Sequence, residues 1–306
     1  MRVVVTGAGG FIGREIAALL LARGDSVVGI DTAAAAIPPG CEVHAGDLGD
    51  RAVREAALAG GLDALIHLAT VPGGAAEADP AASRRINLDA MYDLLLDVSA
   101  LQPGLRVVYA STIAVLGDPL PARVDDATPI APKLIYGGHK AMMEQAVALL
   151  SNRGAIDGVS LRLPGILARP QGPSGMKSAF LSDLFHALKA GRAFTCPVSA
   201  GGTIWVQSLA RAARNCLHGL AVDAALMPPG RAVTLPALRI ALGELEQEIA
   251  RQCGADPGLV SFAPDAALEA AFAAQPPLFT PAAERAGFAH DGDLATLVAS
   301  ALATLR

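Results

Sequence analysis

The sequence has few aromatic residues and few cysteines, and both shortages exclude classes of function. Aromatic side chains make up 4% of the 306 residues. Proteins that bind single-stranded nucleic acid stack the bases on aromatic rings, so a binding platform of that kind is not expected. The four cysteines are far apart and form no C-x-x-C pair, which favours free thiols in a reducing cytoplasm over a zinc site or disulfides: Cys41, Cys196, Cys216 and Cys253.

Charged residues are also scarce. They make up 17% of the chain, and the net charge of −5 comes without a basic stripe. Nucleic acid is therefore not an expected partner. The six histidines show no metal-ligand spacing, so we predict no metal site.

No long hydrophobic run accompanies the hydrophobic content of 52%. No stretch of about 18 residues is free of charges and of proline or glycine clusters, so we predict no membrane-spanning helix and no membrane partner. The 63 alanines account for much of the positive mean hydropathy. The chain begins directly with a short strand and a glycine turn, so we predict no signal peptide and expect a cytoplasmic location.

Short apolar runs alternate with helical patterns through the first half of the chain. Strands are predicted at 2–6, 26–30, 41–45, 63–68, 105–110 and 159–163. Helices are predicted at 16–21, 51–58, 87–100 and 136–150. This alternation predicts an α/β fold, a Rossmann-type doubly wound parallel sheet with helices on both faces.

A glycine-rich turn follows the first predicted strand and opens the first helix. Its sequence is Gly7-Ala8-Gly9-Gly10-Phe11-Ile12-Gly13, with glycines at the spacing G-x-x-G-x-x-G. These glycines allow a tight turn, a close approach of a pyrophosphate to the backbone and close packing of the helix on the strand. The helix N-terminus favours phosphates. We therefore predict a dinucleotide site that includes Gly7, Gly10, Phe11, Ile12 and Gly13.

A carboxylate closes the second predicted strand. Asp31 lies 18 residues after Gly13, where it can accept hydrogen bonds from ribose hydroxyls and repel a 2′-phosphate. Thr32 and four alanines follow without Lys or Arg, so NAD is the predicted cofactor rather than NADP. Further cofactor contacts are expected at the ends of the third and fourth strands, from Asp47, Leu48, Leu68, Ala69 and Thr70.

The pattern changes after Pro164, where prolines and glycines mark a loop-rich stretch. Helices are then predicted at 178–190, 207–221 and 236–252, with short strands between them. We expect an NAD-binding Rossmann domain in residues 1–165. Residues 166–306 are expected to form mainly a smaller substrate-binding lobe, with some segments returning to the Rossmann sheet.

Tyr136 and Lys140 are four residues apart at the start of a predicted helix, so both side chains lie on one face. An ammonium beside a phenol lowers a pKa that is otherwise about 10. The pair predicts a base that takes a hydroxyl proton while a hydride leaves the carbon. Ser111 and Thr112 end the fifth predicted strand, at the sheet edge where open α/β sheets hold ligands, and a hydroxyl there can orient the substrate oxygen.

These elements occur in one order, and together they resemble the extended short-chain dehydrogenase/reductases, the NAD-dependent epimerase/dehydratase family. The resemblance covers nearly the whole chain. It implies that Tyr136 is the catalytic base and that Lys140 binds the nicotinamide ribose and tunes Tyr136. It also implies that Thr112 or Ser111 holds the substrate hydroxyl. Counting back from Gly117 favours Thr112, and counting back from Tyr136 favours Ser111.

The resemblance adds two cofactor contacts and narrows the reaction. It implies that Asn87 and Pro164 border the cofactor. Ile113-Ala114 stands where the dehydratases carry an Asp-Glu pair, so a dehydratase is not predicted. Several segments instead resemble the branch that oxidises the C2 hydroxyl of four-carbon sugar acids such as D-erythronate with NAD: Ser111–Gly117, Leu161–Pro170, Phe194–Val198 and Thr203–Trp205.

A sugar-acid substrate needs a cation or a cluster of donors for its carboxylate. The candidates are Arg169, Lys177 and the hydroxyls of Ser174 and Ser178, and Trp205 is a further candidate substrate contact. The expected function is therefore an NAD-dependent dehydrogenase of a small sugar acid.

The sequence is also compatible with two other functions. One is a nucleotide-sugar 4-epimerase, which returns the hydride to the opposite face of its substrate. The other is a non-catalytic NAD-sensing regulator, although such proteins usually lose the tyrosine or the lysine that is present here. The resemblance also implies a homodimer formed through two helices of the dinucleotide domain, and the apolar face of residues 141–150 permits it.

Overall fold

The computed structural model describes residues 1–172 and 177–305, except for the side chains of Lys177 and Pro257. Within these residues the strands are β1 (Arg2–Thr6), β2 (Ser26–Asp31), β3 (Glu42–Ala45), β4 (Ala64–His67), β5 (Leu105–Thr112), β6 (Ile156–Leu163), β7 (Gly165–Ile166), β8 (Phe194–Cys196), β9 (Thr203–Gln207), β10 (Ala232–Thr234), β11 (Leu238–Ala241) and β12 (Val260–Phe262). The α-helices are α1 (Phe11–Ala22), α2 (Arg51–Leu58), α3 (Gly73–Ala78), α4 (Pro80–Arg84), α5 (Met91–Leu101), α6 (Ile135–Asn152), α7 (Phe180–Lys189), α8 (Leu209–Gly219), α9 (Leu242–Cys253), α10 (Ala266–Phe272), α11 (Pro281–Arg285) and α12 (Leu294–Thr304).

The largest element is a seven-stranded parallel sheet with the strand order β10-β6-β5-β4-β1-β2-β3. Six of its strands come from residues 2–163, and β10 is added at the β6 edge from the second half of the chain. The predicted α/β fold with a doubly wound parallel sheet is confirmed.

Helices cover both faces of this sheet, which explains why its strands are apolar at consecutive positions. Val3 and Val5 of β1 point to one face, where they pack in a cluster that includes Ile16 of α1 and Ala212 of α8. Val4 points to the other face and belongs to the cluster that contains helices α5 and α6. All three valines are fully buried.

The second lobe is built on two small sheets. Strands β11, β9 and β7 form a three-stranded sheet, and β12 pairs with β8. Helices α7, α9 and α12 contribute to one buried apolar cluster with these strands. This lobe lies directly after β6, so its first strand, β7, continues from the carboxyl edge of the large sheet.

The structure corrects two of the predicted helices. Residues 238–241 form β11, which pairs antiparallel with β9, and the helix expected from residue 236 begins only at Leu242. The pairing of Leu238 with Val206 is a long-range contact, and it outweighs the local helical pattern of the segment. The helix expected at 87–100 begins with a π-helical segment over Arg85–Ala90 and becomes α-helical at Met91.

None of the helices in the described ranges combines the length and the apolar character that are needed to cross a bilayer.

Candidate active site

The glycine turn between β1 and α1 is shaped for close contact with a ligand. Gly7 has a φ of +69°, and a Cβ atom there would lie 2.9 Å from the backbone N of Ala69. A Cβ atom at Gly13 would lie 2.0 Å from the Gly7 carbonyl oxygen, so helix α1 can start this close to β1 only with glycine. The N-cap residue Gly10 offers no side-chain cap, which leaves the first N–H groups of the helix open to an anion.

Asp31 lies beside this turn at the end of β2. Its Oδ2 accepts a hydrogen bond from the Gly9 N–H at 2.9 Å, and its Oδ1 accepts one from the Ala33 N–H at 3.0 Å. Each carboxylate oxygen keeps a further lone pair for a hydroxyl donor. The half-buried carboxylate is therefore held in place next to the phosphate turn, and this arrangement fits the diphosphate and the adenosine ribose of NAD.

The other predicted cofactor contacts at the sheet edge differ in how exposed their side chains are. Leu68, Ala69 and Thr70 follow β4 and are partly exposed beside the glycine turn. Leu48 is 4% exposed, and its side chain packs in the core of the protein. Asp47 is paired with Arg85 at 2.7 Å, and this guanidinium lowers the pKa of the carboxyl group.

Asn87, a predicted cofactor contact, is held by bonds within the protein. It is 3% exposed, and its amide atoms all bond to protein groups. Its Oδ1 accepts from the Val71 N–H at 2.7 Å and from the Thr70 hydroxyl at 3.0 Å, and its Nδ2 donates to the Val71 carbonyl and the Ser83 hydroxyl. Asn87 therefore clamps the loop after β4, and it lies in the π-helical segment that the sequence pattern did not predict.

Helix α6 brings Tyr136 to the end of β5. Glycine follows the tyrosine because a Cβ atom at Gly137 would lie 2.4 Å from the Ala114 carbonyl oxygen, so the helix start packs directly on the turn after β5. Thr112, the last residue of β5, forms a side-chain hydrogen bond with the Tyr136 phenol. The structure thus brings together Tyr136 and Thr112, two of the residues that the sequence singled out.

The pKa of Tyr136 is raised to about 12, chiefly because burial disfavours the phenolate. The positive charge of Arg169 and the hydrogen bond with Thr112 act in the opposite direction and lower it. The sequence predicts Lys140 as the cation that lowers this pKa. In the structure that cation is Arg169, a residue from the second lobe.

Lys140 lies below Tyr136 on the same face of α6. Its Nζ is 5.8 Å from the centre of the Tyr136 ring and 4.7 Å from that of Tyr109, and it donates to the Ala110 carbonyl at 2.7 Å. Lys140 is 2% exposed, and burial lowers its pKa to about 7, while the negative charge of Glu144 raises it. The ammonium group is therefore buried, and the negative charge of Glu144 favours its charged form.

Ser111 points away from Tyr136 into a buried ionic network that sequence reasoning missed. Its hydroxyl donates to Oε1 of Glu144 at 2.5 Å. The same carboxylate accepts hydrogen bonds from Nε and Nη2 of Arg162 at 2.9 and 2.8 Å. Glu144 is fully buried and Ser111 is 2% exposed. The i, i+4 spacing from Lys140 to Glu144 is the one sequence signal that pointed to this carboxylate.

Arg169 extends from the segment after β7 towards Tyr136. Its guanidinium carbon lies 5.4 Å from the centre of the Phe11 ring, at the start of α1. Burial lowers the pKa of Arg169, and Tyr136 raises it. No carboxylate within residues 1–172 and 177–305 forms an ion pair with this side chain. The cation is thus partly desolvated and available to an anionic ligand.

The remaining candidates lie apart from this cluster or beyond what the structure describes. Trp205 is 1% exposed, and its indole N–H donates to the Pro276 carbonyl at 2.7 Å, so its side chain packs in the interior. Pro164 is buried at the end of β6. Ser174 and the Lys177 side chain lie outside the described residues, and Ser178 is half-buried at the start of the short helical turn before α7.

The chain is similar to known proteins along most of its length. The model of the NAD dependent epimerase/dehydratase family matches residues 3–207. A D-erythronate dehydrogenase from Cupriavidus necator is 35% identical over 269 residues, which cover 83% of this chain and 82% of that protein. A D-erythronate dehydrogenase from Haemophilus influenzae is 28% identical and covers 83% of each chain.

A solved structure shares the fold over nearly the whole chain. The nucleoside-diphosphate-sugar epimerase from Agrobacterium tumefaciens superposes with a TM-score of 0.88 and 27% sequence identity. The match covers 97% of this chain and 92% of that one.

Proposed function

The chain belongs to the NAD-dependent epimerase/dehydratase family and is an NAD-dependent oxidoreductase, and we propose that it oxidises the C2 hydroxyl of a small sugar acid such as D-erythronate. The observation that carries the substrate class is Arg169, a partly desolvated cation next to the Tyr136 phenol that no described carboxylate neutralises. A guanidinium pairs well with a planar carboxylate, because its N–H donors form two parallel hydrogen bonds. The names of the two dehydrogenase relatives point to the same substrate class.

In the proposed reaction, Tyr136 takes the proton of the C2 hydroxyl. Thr112, which is hydrogen-bonded to Tyr136, orients the substrate oxygen, and Arg169 holds the carboxylate. NAD, when bound, supplies the hydride acceptor. The C2–H bond breaks with its electron pair leaving as hydride, the O–H proton goes to the Tyr136 oxygen, and a C=O bond forms at C2.

Two cations support the proton transfer. Arg169 lowers the pKa of Tyr136 from the substrate side. Lys140, held by the Ala110 carbonyl, presents its charge to the tyrosine ring and is the residue that we assign to the nicotinamide ribose. Ser111 has no direct part in this scheme, because its hydroxyl is committed to Glu144.

The cofactor assignment rests on the shape of the turn and on Asp31. The open N-terminus of α1 would hold the diphosphate, and the Asp31 carboxylate would hold the adenosine ribose. Thr70 and Ala69 border the same edge, and Asn87 supports them from behind through the loop after β4.

The epimerase alternative has less support. A nucleotide sugar requires room for a diphosphate and a base, and no described feature beyond the shared fold favours such a ligand. The relatives named as D-erythronate dehydrogenases match over 83% of the chain, and the first is more similar in sequence than the solved epimerase. We therefore retain the sugar acid as the proposed substrate.

The test is turnover of sugar acids with NAD, followed at 340 nm. We expect NADH to accumulate with D-erythronate or a related four-carbon acid, and not with erythritol, which lacks the carboxylate. Tyr136→Phe is expected to lower kcat by about 10²–10⁴-fold while NADH still binds, as measured by its fluorescence. Epimerisation of a nucleotide sugar without net NADH from any sugar acid would refute the proposal.

We also propose that the protein is a cytoplasmic homodimer formed through α5 and α6. A groove of about 440 Å³ lies between these helices, lined by Leu88, Asp89, Tyr92, Asp93, Met142, Met143 and Ala146. Tyr92, Leu96, Met142 and Leu149 are 38–52% exposed on this side. Met142→Glu is expected to halve the mass measured by light scattering, and Leu226→Glu, at an equally exposed position elsewhere, is the control. A monomeric wild-type protein would contradict the proposal.

A further inference from the structure

The backbone of the Arg169 segment is held in an unusual conformation. Ala168, the residue before Arg169, has a φ of +57°, in the left-handed region that non-glycine residues rarely adopt. Ala168 is 1% exposed, so the surrounding protein maintains this conformation. Backbone strain of this kind next to a candidate ligand-binding residue calls for contacts that hold it.

Helix α7 supplies two such contacts. The Arg169 N–H donates to the Ser182 hydroxyl at 3.0 Å, and Nε2 of His186 donates to the Arg169 carbonyl at 2.7 Å. Ser182 and His186 are one helical turn apart, so both lie on the face of α7 that meets this segment. Both backbone polar groups of Arg169 are therefore held by side chains instead of by a strand or a helix.

The side chain of Arg169 is fixed at its other end as well. The guanidinium lies over the ring of Phe11, which itself is set by the glycine turn. The backbone is thus held from the second lobe and the guanidinium from the dinucleotide domain, and Tyr136 lies within electrostatic reach of the guanidinium.

Helix α7 does not need these two hydrogen bonds in order to pack. Its apolar side chains Phe180, Leu184, Phe185 and Leu188 are buried in the core of the second lobe. The polar residues at 182 and 186 are instead directed at the Arg169 segment. Their contacts are suited to setting the position of a ligand-binding cation.

We propose that His186 and Ser182 are positioning residues that aim the Arg169 guanidinium at the substrate carboxylate, so that α7 sets the affinity for the acid. This inference rests on the proposed function, since it takes the substrate to be an acid. A donor cation displaced by about 1 Å loses much of its effect on a bound ligand. Removal of either contact is therefore expected to weaken acid binding through Arg169 and to leave the proton transfer at Tyr136 in place.

The experiment compares His186→Ala, Arg169→Ala and the double variant by kcat/KM for D-erythronate. It also measures binding of D-erythronate to the NADH-bound enzyme by calorimetry. We expect His186→Ala to raise KM and the dissociation constant about tenfold, with kcat and NADH affinity changed less than about twofold. The effect is expected to vanish in the Arg169→Ala background, because the histidine acts through that side chain.

The chain offers a matched control. Nε2 of His218 donates to the Ala286 carbonyl at 2.7 Å, the same kind of contact in a different place, and its ring packs on Phe288. His218→Ala is expected to leave KM unchanged even where it lowers the melting temperature. His186→Gln, which keeps an N–H donor, is expected to restore most of the affinity. If His186→Ala fails to fold, Ser182→Ala tests the same proposal with a smaller change.

Three results would overturn the inference. One is an unchanged KM in both folded His186→Ala and Ser182→Ala. The second is an equal loss in the Arg169→Ala background. The third is a crystal structure of His186→Ala in which the guanidinium still lies over Phe11, and this readout holds whatever the substrate is. Failure of the wild-type enzyme to bind or oxidise any sugar acid would instead refute the proposed function.

Discussion

Arg162 and Arg169 are both cations at the carboxyl side of β6, and they differ in how their charges are satisfied. On the side of α6 and β6, Arg162 is paired with Glu144 by two short hydrogen bonds, and Ser111 binds the same carboxylate. On the side of the second lobe, Arg169 has an aromatic ring beneath it and no described carboxylate beside it. Both guanidinium groups are largely buried, so the contrast lies in their partners.

In the function that we propose, the Glu144 network is a structural scaffold and Arg169 is a ligand-binding position. A buried charge without a partner is costly, so a protein pairs it unless something else will. The Glu144 network is complete by itself, and it gives the carboxyl end of the sheet a fixed set of charges beneath Lys140. Arg169 has no described carboxylate partner, and in the function that we propose the substrate carboxylate takes that place next to Tyr136 and Thr112.

Removal of Glu144 is expected to have the largest effect on stability. Glu144→Gln leaves Arg162 charged and half-paired in the interior, which typically costs about 3–5 kcal/mol in the free energy of unfolding. Urea unfolding measures the loss. Glu55→Gln is the control, because Glu55 pairs with Arg51 at the exposed surface and its loss is expected to cost less than about 0.5 kcal/mol. Equal effects at the two positions would show that the buried network is not a scaffold.

Much of the dinucleotide side could be predicted because its signals are local. The glycine turn, Asp31 and the spacing of Tyr136 and Lys140 each depend on a few adjacent residues, and each lies in the element that was expected. The alternation of side chains along a strand also shows that Ser111 and Thr112 point to opposite faces. This alternation does not show which face of the strand is next to Tyr136. The packing of α6 against the turn after β5 decides that face.

The second lobe was harder to predict because its contacts are long-range. The strand over residues 238–241 exists through its pairing with β9, and the burial of Trp205 depends on the Pro276 carbonyl, 71 residues away. Arg169 was a candidate by residue type alone. Its position depends on α7 and on Phe11, which no local pattern connects to it.

Removal of the Arg169 charge is expected to affect stability less than removal of Glu144 does. Its main effect is expected on the reaction. Arg169→Ala deletes the charge that lowers the pKa of Tyr136, so that pKa rises further. Because Tyr136 acts as a base, the acidic limb of the kcat/KM profile for oxidation moves to higher pH. Loss of a charged hydrogen bond to the substrate is expected to raise KM by about 10–100-fold. Stability is expected to change by less than about 1 kcal/mol.

Arg169→Lys is the control that keeps the positive charge but loses the planar donor geometry of the guanidinium. A lysine keeps the positive charge but not the planar fork of donors, so we expect the pH profile to stay near that of the wild type while KM remains raised. An Arg169→Ala enzyme with a normal KM for the acid and a weakened affinity for NADH would place this cation on the cofactor instead.

The smallest expected effect on stability concerns Lys140, which lies on α6 between Tyr136 and Glu144. Its pKa in the folded protein is about 7, below the ordinary value of 10.5, so above pH 7 the folded chain binds fewer protons at this site than the unfolded chain. Stability therefore rises with pH in that window, by about 1 kcal/mol between pH 7 and pH 8.

Lys140→Met lacks the titrating group, and the wild type is expected to gain stability relative to this variant as the pH rises. Urea unfolding of both proteins at several pH values measures the difference. A stability difference that stays constant from pH 6 to pH 9 would mean that Lys140 remains fully charged. Glu144 would then stabilise the charges of both Lys140 and Arg162.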